Sequence, residues 1–189
     1  MFYFRSTFVS FVVALLSGGI ALASSVKSGP QVGEKIPGPF KVLNVTGPEA
    51  GKTNCQYCKN GTRPVVVIFA KWITPEVAGL LKKIDAATAT NKERGLGSYA
   101  VVCFDSPNSD HYFQYFKQVA QELGMQNTIL TLYKVGGPEK YRLAPDADVT
   151  VLLYNQLTVK ANHAFKTGEL TAAATDAILA DLGKMLSEN

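Results

Sequence analysis

The segment Pro64-Val65-Val66-Val67-Ile68-Phe69-Ala70 constrains this chain more than any other. A strand with one wet face alternates apolar and polar residues, and this one does not. A continuous, mostly β-branched run predicts a strand covered on both faces, as in the parallel interior of a sheet. Such a strand needs crossover connections, and the following residues supply one. Thr74 is placed to cap a helix and Pro75 suits its first position, where the missing N–H costs nothing. Val77, Leu80, Leu81, Ile84 and Ala87 then fall on one helical face, and Gly95 and Gly97 end the segment. Tyr99–Phe104 repeats the buried-strand pattern.

The rest of the chain continues the alternation. Ser109 is placed to start a helix through Leu123, with Tyr112, Phe116, Val119 and Leu123 at helical spacing. Thr128–Tyr133 reads as a strand, followed by a turn at Gly136-Gly137-Pro138. Val149–Tyr154 and Thr158–Phe165 read as two strands of a hairpin, and Thr171–Leu186 as a closing helix. Upstream, Phe40–Thr46 reads as a short strand and residues 47–63 as a long polar loop. Strand–helix–strand units joined by short turns imply right-handed crossovers, hence a mixed central sheet with helices on both faces.

The first 23 residues are set apart from this pattern. Arg5 precedes an apolar run from Phe8 to Leu16, and Ala21-Leu22-Ala23 is a small-residue cleavage pattern, together a secretory signal peptide. Ser17-Gly18-Gly19 interrupts the run, which argues against a retained membrane anchor. Residues 24–39, with Pro30, Pro37 and Pro39, read as an extended lead-in, and 40–189 as the domain. Localisation outside the cytoplasm, periplasmic or extracellular, and no membrane association after cleavage are expected. The sequence is 47% hydrophobic and 18% charged, unlike a disordered chain. Cleavage would leave 18 basic and 15 acidic residues, a net charge of +3. The lysines are scattered among acids, without a basic stripe, so no nucleic-acid partner is expected.

Three cysteines are too few to build a disulfide scaffold. Two of them form Cys55-Gln56-Tyr57-Cys58 in the polar loop. The spacing admits a structural disulfide, a reversible dithiol, or half of a metal site. A metal would need two more ligands, and Cys103, His111 and His163 offer no second paired spacing, so neither metal nor cofactor is expected. Lys52, Lys59 and Arg63 flank the pair against Glu49, and neighbouring cations favour a thiolate. Cys103, in an apolar strand, reads as a small buried hydrophobe. His111 reads as a surface or capping residue and His163 as solvent-facing.

The order of elements resembles the thioredoxin-like superfamily, in its redoxin and TlpA-like branch. Val32-Gly33-Glu34-Lys35-Ile36-Pro37-Gly38-Pro39-Phe40 is similar to the opening of those proteins. Phe69-Ala70-Lys71-Trp72 is similar to the strand end before their active site, and Tyr141 with Val149-Thr150-Val151-Leu152-Leu153 to the approach to their penultimate strand. The resemblance covers roughly residues 32–186 and implies an α/β, three-layer thioredoxin-like fold. It implies thiol–disulfide oxidoreductase activity on protein thiols or disulfides, with Cys55 attacking and Cys58 resolving. The departures are specific. Where the family has Trp-Cys-x-x-Cys, this chain reads Trp72-Ile73-Thr74-Pro75-Glu76, and where a cis-proline is expected it has Val149. The pair at 55–58 is displaced upstream, and the loop is long enough to leave it at either edge of the sheet. The alternative is a non-catalytic binding module of the same fold with a structural Cys55–Cys58 disulfide.

Overall fold

A computed structural model describes residues 26–187. The proposed signal peptide lies outside the described residues. The elements run β1 (Val42–Asn44), β2 (Thr53–Asn54), α1 (Gln56–Asn60), β3 (Val65–Ala70), α2 (Pro75–Thr90), β4 (Gly97–Phe104), α3 (Asp110–Glu122), β5 (Ile129–Lys134), β6 (Val149–Asn155), β7 (Thr158–Phe165) and α4 (Ala172–Ser187). Single turns of 3₁₀ helix stand at Lys92–Arg94 and Glu139–Tyr141.

All strands share one mixed sheet in the order β2-β1-β5-β4-β3-β6-β7. β3, β4 and β5 are parallel, while β6 pairs antiparallel with β3 and β7 with β6. The apolar run at 65–70 is buried throughout, as its composition requires. Its side chains alternate. Val66, Ile68 and Ala70 enter a core with Leu80, Leu81 and Ile84 of α2, Phe116 of α3, and Ile178 and Leu182 of α4. Val65, Val67 and Phe69 enter a second core with Ile36, Tyr99, Tyr141 and Tyr154, against which Tyr57 of α1 also packs. The three long helices therefore share one face. The opposite face is closed by α1, the 3₁₀ turn at 139–141 and the segment before β1. This inequality follows from the handedness rule, because β3, β4 and β5 succeed one another in one direction, so both crossovers fall on one side.

The polar loop expected at 47–63 holds two elements that sequence patterning missed. β2 is two residues long and α1 five, too short for periodicity to register. The 155–158 hairpin is tighter than its residues suggest. Gln156 (φ 49) and Leu157 (φ 60) both adopt the left-handed region. This geometry matches the twist of a two-residue hairpin but is unfavourable for side chains other than Gly or Asn. Tertiary hydrogen bonds hold it: Gln156 N–H to Thr62 O, and Ile36 N–H to Leu157 O.

One buried carboxylate joins the helical layer to the sheet. Asp85, 8% exposed on α2, accepts the backbone N–H groups of Gln126, Asn127 and Thr128 at 3.1, 2.8 and 2.7 Å, and the Asn127 side chain at 3.0 Å. Burial alone would raise its carboxyl. The Asn127 side chain and the three backbone donors outweigh burial and hold it below the ordinary value of 3.8. These bonds fix the loop into β5. Asp85→Ala leaves buried donors without an acceptor and should lower unfolding stability by ~2–4 kcal/mol near neutral pH. A depressed folded pKa contributes stability above the unfolded value and loses it as pH falls through the folded value. The stability gap between wild type and Asp85→Ala in denaturant melts should therefore shrink as pH is lowered through 3.8.

Candidate functional site

The parallel strands begin at one edge of the sheet and end at the opposite one. The two edges lie ~20 Å apart along a six-residue strand. Each carries part of what the sequence singles out.

At the ending edge, β3 runs into Trp72 and the start of α2. Thr74 caps the helix, its Oγ accepting Val77 N–H at 3.4 Å. The same hydroxyl donates to Glu76 at 2.7 Å. That bond comes first among the causes holding the exposed Glu76 carboxyl low. The helix terminus thus already has a hydroxyl and a carboxylate, and a negative group here opposes formation of a second anion. Trp72 is part of an aromatic cluster, stacked on Tyr115 with centroids 5.7 Å apart and edge-on to Phe104, Tyr112 and Phe116. Lys71 bonds Asp148 and the Pro145 carbonyl, both at 2.8 Å. The peptide bond preceding Val149 is trans.

Cys103 stands at the end of β4 and is buried. It lines a cavity of about 200 Å³ with Phe69, Leu143 and Thr150 among its other walls. Burial pushes its thiol up to about 12, so it is a poor nucleophile near neutral pH. His111 is exposed beside Tyr112. His163 differs from expectation: it is half-buried between β7 and α4, 3.1 Å from Asp181. It falls on the same face of β7 as the buried Ala161, and the docking of α4 against that face supplies the carboxylate. Among the described residues, no group of three or more His, Cys, Asp or Glu is gathered so that it could hold a metal ion.

Cys55 and Cys58 lie at the beginning edge and are joined as a disulfide. α1 ends at Asn60, whose side chain lies against Gly97, the first residue of β4. A Cβ added at Gly97 would meet Asn60 Oδ1 at 2.1 Å, so only glycine permits this approach. Cys55 is the cap of α1 in extended conformation, and its sulfur accepts the Cys58 N–H at 3.0 Å. Gly61 closes the turn at φ 57, its N–H donating to Tyr57 O.

The inner side of α1 explains its position. Gln56 and Asn60 are four residues apart, on one helical face, and both are buried. Gln56 Nε2 donates to Asn44 Oδ1 at 2.9 Å, and Asn60 Nδ2 to Gln56 O at 2.9 Å. Asn44 in turn donates to Asn54, and Asn54 to Glu49. Two of the flanking cations, Lys59 and Arg63, are engaged within this network. Lys59 forms an ion pair with Glu49. Arg63 donates to the carbonyls of Lys59 and Asn60 and to Asn60 Oδ1. Glu49 offsets the charge of Lys59, and the donors of Arg63 end on neutral oxygens rather than on the sulfurs, so part of the electrostatic activation that the sequence suggested is lost.

Solved structures match over most of the chain. An uncharacterized conserved protein from Geobacillus kaustophilus is 17% identical, with 87% of each chain covered and a TM-score of 0.61. The peroxidoxin BcpB from Mycobacterium tuberculosis is 14% identical, covering 84% of this chain and 97% of its own, with a TM-score of 0.55. A secreted Mycobacterium tuberculosis disulfide oxidoreductase homologous to E. coli DsbE is 11% identical, covering 77% and 95%, with a TM-score of 0.53. The fold is thioredoxin-like. No family model and no curated protein matches the sequence. Within the thioredoxin-like frame, the place of the usual cysteine pair is taken by Ile73 and Glu76, and the chain's own pair is at the opposite edge.

Native and unfolded protein should differ sharply at Cys103. Alkylation followed by intact mass should leave Cys103 unmodified in the folded protein near neutral pH and modify it fully in denaturant. Rapid labelling of the folded form would show that the strand end opens.

Proposed function

We propose that this protein carries out thiol–disulfide exchange at Cys55 and Cys58, acting on protein thiols or disulfides outside the cytoplasm. The observation that carries this reading is the surface position of the disulfide. Cys58 is exposed, and the Cys55 sulfur already accepts a backbone N–H of the kind that stabilises a thiolate. The bond closes a very short ring, worth only ~2 kcal/mol to the fold in the chain-entropy model. A staple of that size is weakly useful, and a reversible couple is a better account of it. The neighbours of the same fold include a disulfide oxidoreductase and a peroxidoxin, which supports redox chemistry on this scaffold.

A second reading has its own observation. Because Lys59 and Arg63 are engaged by oxygens, and the usual helix start carries Glu76, the protein also fits a non-catalytic binding module with a permanent Cys55–Cys58 bond. Redox titration separates the two. Equilibrated in graded glutathione buffers and then alkylated, the pair should pass between disulfide and dithiol within the range of cellular thiols. Cys55→Ser should abolish turnover in a disulfide-reduction assay. A pair that stays oxidised throughout, or turnover unchanged by the substitution, favours the binding module.

Export rests on residues 1–23. No helix among the described residues is long and apolar enough to cross a membrane. Expressed with its leader in a bacterial host, the protein should be recovered outside the cytoplasm with a mass that begins at Ser24. Retention of residues 1–23 on cytoplasmic protein would refute this.

A further inference from the structure

The two sulfurs of the pair are not equivalent, and their difference runs against the order that the family resemblance implies. In the helical turn of α1, residues advance by ~100° each. Gln56, Tyr57 and Asn60 are directed inward: Gln56 and Asn60 are buried in the polar network, and Tyr57 packs on the second core. Cys58 lies on the far side of that turn, next to the exposed Lys59, and is itself exposed. Cys55, at the cap, is half-buried and follows β2 directly.

We propose that exchange at this site proceeds through Cys58, with Cys55 as the leaving and resolving sulfur. This rests on the redox reading above. An incoming thiolate attacks Cys58 Sγ, forming a mixed disulfide there. The Cys55–Cys58 bond breaks, and its electron pair leaves on Cys55 Sγ as a thiolate, 3.0 Å from the Cys58 N–H in the oxidised form. That hydrogen bond stabilises the leaving group, which speeds departure. In the opposite direction the reduced Cys58 thiolate attacks a substrate disulfide, expelling one substrate thiolate. Cys55 then attacks Cys58 Sγ, releases the second substrate thiolate and restores the bond. No metal or cofactor enters the balance.

Two physical requirements favour this order. Attack needs an open approach to the sulfur, and Cys58 is the more exposed residue of the two. Departure needs a stabilised anion, and the sulfur with the backbone donor is the other one. In this site the two properties fall on different cysteines. The Lys59–Glu49 ion pair beside Cys58 itself adds no net charge.

The test uses single-thiol variants of the full mature chain in a Cys103→Ala background. Each is mixed with a chromogenic aromatic disulfide under native conditions. Cys58, present in Cys55→Ser, should react about tenfold or more faster than Cys55, present in Cys58→Ser, because rate follows access. In the wild-type oxidised protein, excess glutathione followed by acid quench and peptide mapping should place the glutathione on Cys58. Faster reaction of Cys55, or glutathione on Cys55, overturns the proposed order. Circular dichroism of each variant identifies a folding failure. In that event the wild-type map alone decides the order, and if no adduct forms there the proposal fails. A wild-type pair that resists every thiol buffer defeats the redox reading. The single-thiol rates still report which sulfur is open, so the two failures are distinguishable.

Discussion

Everything in this molecule depends on β3. All six of its residues are 4% exposed or less. It is zipped between β4 and β6, Val65 opposite Gly97 and Tyr154, Ala70 opposite Val102 and Val149. A strand without a polar face stays out of water only if both sides are covered. The long helices close one side, and a patchwork of α1, a 3₁₀ turn and the segment before β1 closes the other. A register slip of one residue would exchange Val66, Ile68 and Ala70 with Val65, Val67 and Phe69, sending residues matched to one core into the other. Fixing the register also fixes where the strand ends, and so the two edges available for chemistry.

The ending edge has the fold's usual helix terminus, but its electrostatics are spent. Thr74 and Glu76 satisfy the start of α2, and Lys71 is taken by Asp148. A thiol placed there would meet a carboxylate in place of the unopposed positive end that lowers a thiol pKa. Among the described residues the long helices start at the ending edge and only their C-terminal ends reach the beginning edge, so any activation of a thiolate there must come from single contacts. The bond from the Cys58 N–H is one such contact. Lys59 and Arg63 are not, because their donors end on Glu49 and on main-chain and amide oxygens.

Local pattern made most of this architecture legible. The buried runs at 65–70 and 99–104, the cap at Thr74 and the helical stripes of α2 and α3 depend on residues within a few positions of each other. β2 and the turn of α1 were not legible because two and five residues are too few for a periodic pattern, and the pairing of His163 with Asp181 was not because it depends on how α4 docks. Lys59 shows the same limit within ten residues. Its charge is apparent in the sequence, but the folding of 47–54 that brings Glu49 to it is not. The inward direction of Gln56 and Asn60 had a faint signal, two amides four apart beside a tyrosine. It acquires meaning only once Asn44 and Gly97 are known to be the wall behind them.

The placement of α1 bears directly on how reducible the pair is. What a disulfide adds to a fold, the fold adds to the disulfide, by linkage. A four-residue ring removes little entropy from the unfolded chain, so the mutual stabilisation is ~2 kcal/mol, or ~40 mV for a two-electron couple. The buried amides of Gln56 and Asn60, the packing of Tyr57 and the glycine contact at 97 hold the turn in place without the bond. Opening the ring therefore leaves α1 anchored, with both sulfurs close enough to close it again. A disulfide that the fold neither strongly needs nor strongly protects, at an exposed turn held by other contacts, is suited to repeated opening and closing. On the redox reading proposed above, the same anchoring would direct exchange to the outer side of α1, where Cys58 stands.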